Sequence, residues 1–239
     1  MSEPSITRVT ALEVRCVERD WPWAEAHRAD IDAFWQAATA RQPKMFDGPV
    51  FMFADLRIEN GICRAVCFET RFSHLLYAKR MGFPDPYVIN GFAMGALRTS
   101  DGAFLLGVMG PETANPGQIY FAAGTPDPSD RTAERTLDLL GSITREVAEE
   151  TGLEGGDYEV KAEWVVVRDG GLLAFLRPIR LKGTADAARA CMLGRMKRLR
   201  EQELSDIYVA RNEDDIDAQR MPRFVQAFLR WAFAHPAQT

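Results

Sequence analysis

Three glutamates in the second half of the chain, Glu146, Glu149 and Glu150, stand three and four residues apart. On a helix that spacing turns them to one side. Like charges so placed cost roughly 0.2–0.5 kcal/mol per pair unless something neutralises them. A hard divalent cation would do so. Clustered carboxylates suit Mg2+, with Mn2+ as the alternative, and such an ion also takes water and phosphate oxygens as ligands. The chemistry on offer is therefore metal-assisted attack of water on a phosphate ester or anhydride.

Those carboxylates need a helix that is held in place. Leu139, Leu140, Ile143 and Val147 recur at helical spacing and give the segment a flank to bury, with Glu146 and Glu150 beside it. Gly152 stands just past the helix, where a left-handed residue is usual, and Gly155-Gly156 continue the turn. Asp138 lies at the other end. It can cap the helix by accepting from the free amides of the first turn.

The nine residues Arg145-Glu146-Val147-Ala148-Glu149-Glu150-Thr151-Gly152-Leu153 read as Arg-Glu-aliphatic-x-Glu-Glu-x-Gly-aliphatic. This pattern resembles the second half of the box that defines the Nudix hydrolases, the MutT-like family. The resemblance implies an α/β protein, a Nudix α/β/α sandwich with a mixed sheet, over roughly residues 85 to 212. It implies a Mg2+-dependent hydrolase that cleaves the diphosphate linkage of a nucleoside diphosphate derivative, nucleotide sugars included. Glu146, Glu149 and Glu150 would be its metal ligands, and Arg145 would orient a carboxylate of the helix. Either Glu146 or Glu203, just beyond a later helix, would take the proton of the attacking water.

The first half of the box departs from the family. Its glycine and its glutamate are expected where this chain has Arg131 and Leu137. Gly124, leading Gly124-Thr125-Pro126-Asp127-Pro128, could be the missing glycine displaced upstream and would then border the substrate; Asp138 stands one step from the missing glutamate, and the sequence leaves open whether it supports the metal in that residue's place or only caps the helix. The incomplete box keeps a second reading open, a non-catalytic Nudix-fold module that senses a nucleotide. The first eighty residues, with Phe46-Asp47-Gly48 before a hairpin, more weakly resemble the branch that includes the UDP-glucose diphosphatase.

Alternation over Ile6 to Val17 predicts a strand, and Ile31, Phe34, Trp35 and Ala38 mark a helix. Asn60-Gly61 predicts a hairpin between Val50–Ile58 and Ile62–Thr70, followed by a helix over Phe72–Met81. A second hairpin, Val88–Arg98 with Ala103–Met109, and a short strand at Ile119–Ala122 lead into the Gly124 loop. Beyond the glutamate helix, Tyr158–Val167 and Leu172–Leu181 form a third hairpin. Helices over Ala185–Gln202 and Pro222–His235 close the chain. The expected division is an α+β extension over residues 1–84, packed on a catalytic domain over 85–239 and shaping its leaving-group side.

Composition narrows the class. The chain has 239 residues, 46% hydrophobic and 26% charged, enough for a substantial core. A net charge of −5 without a basic cluster argues against nucleic acid or an anionic membrane as partner, while the resemblance implies a small-molecule nucleotide; a homodimer is compatible with both. Four cysteines without a CxxC pattern suit a reducing, cytoplasmic compartment. Met1-Ser2-Glu3-Pro4 has no basic start, and no apolar run is long enough to span a bilayer. His27, His74 and His235 read as surface or capping residues, and Cys63 with Cys67 as small core residues on one side of a strand. Phe46, Phe72, Tyr87 and Phe92 are read as core, with stacking on a base as the alternative.

Overall fold

The computed structural model describes residues 3–113, 115–200 and 202–238. Met1 and Ser2 of the N-terminal segment and Glu201 of the expected 185–202 helix lie outside the described residues. In chain order the elements are β1 (Ser5–Val9), β2 (Ala11–Val17), α1 (Pro22–Ala26), α2 (Arg28–Arg41), β3 (Pro49–Glu59), β4 (Ile62–Arg71), α3 (Phe72–Arg80), β5 (Asn90–Arg98) and β6 (Phe104–Met109). They continue with β7 (Ile119–Tyr120), β8 (Ala123–Gly124), α4 (Leu139–Thr151), β9 (Tyr158–Val160), β10 (Trp164–Asp169), β11 (Leu172–Leu181), α5 (Ala185–Met196), β12 (Leu204–Ala210) and α6 (Arg223–Ala234).

A large mixed sheet runs β1-β10-β11-β5-β6-β12, with only the β11–β5 pair parallel along this path. Alternate residues of its central strands face opposite ways, as strand geometry requires. Ala93, Leu97, Val166, Leu173 and Phe175 meet Ile143 and Val147 of α4 and Met192 of α5 on one face. Met94, Phe104, Val165, Val167 and Leu176 meet Val225, Phe228 and Leu229 of α6 on the other. The result is an α/β/α sandwich with a mixed sheet. Phe228 is fully buried, and covering a side chain of that size contributes about 2–3 kcal/mol.

The N-terminal extension is α+β, a second sheet ordered β2-β4-β3 under α1, α2 and α3. The Asn60-Gly61 turn forms as expected, with φ of 52° and 74°. Along β3, Val50, Met52 and Ala54 join the helices, whereas Phe51 and Phe53 join the core of the large sheet. Both faces are therefore dry. The extension is stitched to the rest by more than packing. Phe53 and Ile89 exchange both backbone hydrogen bonds at 2.8 Å, and Phe51 N–H donates to the Pro126 carbonyl at 2.8 Å.

Several expectations are corrected. The strand expected over Ile6–Val17 breaks at Thr10, so that β1 pairs with β10 of the large sheet and β2 pairs in parallel with β4 of the small one. Residues 5–9 thus belong to the main sheet, and a boundary at residue 84 does not separate two hydrogen-bonded units. The helix expected to reach Gln202 stops at Met196, although Lys197 to Gln202 are mostly good helix formers. Strand pairing overrides propensity there: Gly110 N–H donates to the Glu203 carbonyl at 2.7 Å and opens β12, a strand not foreseen. Among the described residues all four cysteines are free, and no helix is long and apolar enough to cross a membrane.

Candidate active site

Helix α4 is fixed at both ends and along one flank. Leu139, Ile143 and Val147 are 3% exposed or less. Asp138 Oδ1 accepts from Gly141 N–H at 2.8 Å, and Gly152 adopts φ 71° at the C-terminus. Glu146, Glu149 and Glu150 consequently fall in the last turns, where the carbonyl ends carry partial negative charge and repel carboxylates. The last turn contains no basic residue.

Glu150 is almost wholly buried, at 5% exposure. Its Oε1 accepts from Ala123 N–H of β8 at 3.1 Å, while its Oε2 has no hydrogen-bond partner among the described residues. Burial pushes its pKa up to about 8 against that one hydrogen bond, and the charges of Glu146, Glu203 and Glu149 add to the rise. Glu146 is pushed up to about 7, by burial first, with Arg145 opposing and Glu149, Glu203 and Asp130 reinforcing. Glu149 is exposed.

Gly124 follows Ala123 on the same strand and presses its backbone against Glu146. A β-carbon there would lie 2.2 Å from Glu146 Oε1, so only glycine fits without moving the carboxylate. Arg145 spans two carboxylates: Nη1 reaches Asp130 Oδ1 at 2.8 Å and Nη2 reaches Glu146 Oε1 at 3.5 Å. Asp130 is 1% exposed at its side chain, in a single helical turn capped reciprocally with Asp127, and its Oδ2 also accepts from Asp127 N–H at 3.1 Å. Arg145 is thus a positioning residue anchored on the loop, with its second arm on Glu146.

The structure brings Glu146, Glu149, Glu150, Arg145 and Gly124 together, and it places Glu203 near enough for its charge to act on Glu146, Glu150 and Tyr120. It does not bring Asp138 to them. Asp138 is exposed and caps the opposite end of α4, twelve residues before Glu150, or about 18 Å along the axis at 1.5 Å per residue. Asp130 and its grip on Arg145 were not foreseen. The available signal was a second acid three residues after Asp127-Pro128, a reciprocal capping pattern.

Among the described residues no three His, Cys, Asp or Glu side chains converge closely enough to hold a metal ion by themselves. The donor set still fits Mg2+. It is all oxygen, it holds a buried Oε2 without a partner, and Mg2+ characteristically uses one or two carboxylates plus water and substrate phosphate instead of a protein cage. Glu146 and Glu150 would hold it, with Glu149 and Glu203 as outlying charges.

A cavity of about 350 Å3 opens beside this end of α4, between α3 and the large sheet. Ala123 and Gly124, which touch Glu150 and Glu146, line it, as do Phe72 and Phe92. Phe46 and Tyr87 are instead 79% and 74% exposed. The histidines behave locally: Nδ1 of His27 and of His235 meets the carbonyl four residues back at 2.8 Å, and His74 meets Thr70 Oγ1 at 2.8 Å.

No family model matches the chain, and no curated protein sequence matches it. Among solved structures, the chain is similar to a Nudix hydrolase from M. smegmatis, RenU, at 15% identity and TM-score 0.41, over 62% of this chain and 86% of that one. It is similar to a C. elegans Ap4A hydrolase at 16% identity and TM-score 0.43, over 63% of this chain and all of that one. A MutT protein from Methanosarcina mazei Go1 overlaps 63% of this chain and 96% of its own length, at 14% identity and TM-score 0.38.

Proposed function

We propose that the protein is a Nudix-type, Mg2+-dependent hydrolase of a phosphoanhydride in a nucleoside diphosphate derivative. The observation that carries this reading is the pair Glu146 and Glu150. Two carboxylates stand against the strand that lines a cavity, Glu146 beside Gly124, where a β-carbon would meet it, and Glu150 beside Ala123, with one buried oxygen unpartnered among the described residues. Such an arrangement weakens an empty protein, because buried like charges without a partner are costly. It is sound as half of a cation site.

A bound Mg2+ would supply charge neutralisation at the phosphate oxygens and a more acidic water. The chain's own residues do the rest. Arg145, fixed on Asp130, limits the rotamers of Glu146. Glu146 would take a proton from water as its oxygen bonds to phosphorus and the bridging P–O bond breaks, leaving the electron pair on the departing phosphate; its pKa near neutrality belongs to the metal-free protein, and a cation held there would lower it. Gly124 leaves that carboxylate room beside the strand. Glu203 is the second candidate for the base.

The test is a screen of nucleotide sugars, ADP-ribose, dinucleoside polyphosphates, coenzyme A and nucleoside triphosphates, with Mg2+ and with EDTA, identifying products by mass. Metal-dependent release of a nucleoside monophosphate or its partner phosphate supports the proposal. Binding of any of these compounds without turnover would favour the nucleotide-sensing reading.

A further inference from the structure

The cavity beside the carboxylates has one wall in the Ala123-Gly124 strand, which touches Glu150 and Glu146. α3 of the extension, β5 and the start of α6 also line it, through Phe72, Leu75, Phe92 and Phe224, with the rings of Phe92 and Phe224 5.2 Å apart. Into this apolar wall is set Asn90, the first residue of β5. It is 9% exposed, and its Oδ1 is buried without a hydrogen-bond partner among the described residues. An unpaired buried carbonyl costs about 1–3 kcal/mol, which a ligand or water must offset. Lys79, on α3, also lines the cavity; its ammonium donates to Asn115 Oδ1 at 2.9 Å and has no carboxylate partner within ion-pair distance among the described residues.

The lining contains no Asp or Glu; besides Asn90 and Lys79 its polar side chains are Asn115, Gln118, Tyr120 and Thr125, beside the apolar wall of Phe72, Leu75, Phe92 and Phe224. A flat heteroaromatic ring matches it well, since rings stack on aromatic side chains and an asparagine amide can pair with a base edge through two hydrogen bonds. The volume is at the lower end for small-molecule sites, enough for one such ring and its attached pentose.

We infer that this cavity is a nucleobase subsite built by the N-terminal extension, with Asn90 reading the polar edge of the ring and Lys79 meeting the phosphate attached to its pentose. The inference rests on the proposed reading of the adjoining carboxylates as a diphosphate site. It makes Asn90 and Lys79 specificity-determining residues. It also assigns the extension a direct part in recognition.

Calorimetric titration of the full-length, metal-free protein tests it, using adenosine, guanosine, cytidine and uridine, their 5′-monophosphates, and glucose 1-phosphate. At least one base should bind as nucleoside and monophosphate, and more tightly than glucose 1-phosphate. Asn90→Leu should weaken both forms by about tenfold or more, while its Tm equals or exceeds that of the parent because an unpaired polar group has been removed. A purely structural asparagine would give a lower Tm. Asn90→Asp, of the same shape, should weaken the same ligands if Asn90→Leu does not fold. Lys79→Gln should weaken the monophosphate by about tenfold and leave the nucleoside within twofold. No binding of any nucleoside or monophosphate at millimolar concentration, glucose 1-phosphate binding as well as the best monophosphate, or unaltered binding in the Asn90 variants overturns the inference. Metal-dependent diphosphate hydrolysis that persists alongside such a result would leave the proposed function standing and remove only the subsite. Monophosphate binding without hydrolysis would do the reverse.

Discussion

Glu150→Gln should make the metal-free protein more stable at alkaline pH while abolishing its activity. The carboxyl of Glu150 is raised from 4.5 to about 8, mainly by burial. Below pH 4.5 the group is protonated in folded and unfolded chains alike, and its contribution to stability is fully present. As pH climbs from 4.5 towards 8 the unfolded chain loses the proton and the folded one keeps it, so stability falls. At about 1.36 kcal/mol per pH unit the full gap would be worth at most about 5 kcal/mol; water entry and relaxation around a real buried group make about 2–3 kcal/mol the working figure. Glutamine has no proton to lose. Its amide keeps the acceptor for Ala123 N–H but leaves donor hydrogens in place of the unpaired Oε2, which takes back about 1 kcal/mol at every pH. The diagnostic is therefore the pH dependence. In EDTA the wild type should lose several degrees of Tm between pH 5 and pH 8.5 beyond any loss in Glu150→Gln, at about 2–4 °C per kcal/mol for a chain of this size. Mg2+ should restore part of the wild-type loss at pH 8.5, since a ligand of the folded state alone stabilises it by mass action. Parallel Tm–pH curves for the two proteins, or full activity in the variant, would refute the reasoning.

The remaining predictions concern groups around that carboxylate. Gly124→Ala should reduce kcat by about tenfold or more with an intact circular dichroism spectrum, because its β-carbon would displace Glu146 from the position a base needs; unchanged kcat would show that the contact is incidental. Asp130→Asn should lower stability by about 1–3 kcal/mol in a denaturant titration, as Arg145 loses its buried anion, and should also reduce kcat. Asp138→Ser should leave both Tm and kcat unchanged, and Asp138→Ala should cost about 1 kcal/mol of stability without affecting kcat; a tenfold fall in kcat for the serine variant would return Asp138 to the metal. Glu149→Gln, removing an exposed charge whose field reaches both buried carboxylates, should lower metal affinity measured by titration more than it lowers Tm.

What could be read from the sequence was what depends on neighbours along the chain. Helix α4, its cap and its C-terminal glycine follow from spacing and local backbone chemistry, and so does the Asn60-Gly61 hairpin. The misread elements were decided by partners far away. Thr10 ends β1 because β10 and β4 belong to different sheets, and nothing within Ile6–Val17 records that. Leu204–Ala210 becomes a strand because β6 offers an edge, although Asp206 interrupts its alternation at a register shift. At the site the same division holds. The spacing of the three glutamates put them on one face, but the buried Asp130 arises from the packing of its turn against α4, and the buried Oδ1 of Asn90 and the position of Lys79 from distant segments meeting around the cavity.

The pairing of β1 with β10 sets an order of events for a chain made from its N-terminus. Ser5 faces Arg168 and Val9 faces Trp164. During synthesis the first strand must therefore wait for most of the polypeptide before it meets its partner, and Phe51 and Phe53 of the small sheet wait for the core they help to fill. Contacts of such long sequence separation slow folding and leave apolar strands open to other chains meanwhile. A ribosome stalled before residue 164 would thus carry a nascent chain with an unpaired β1.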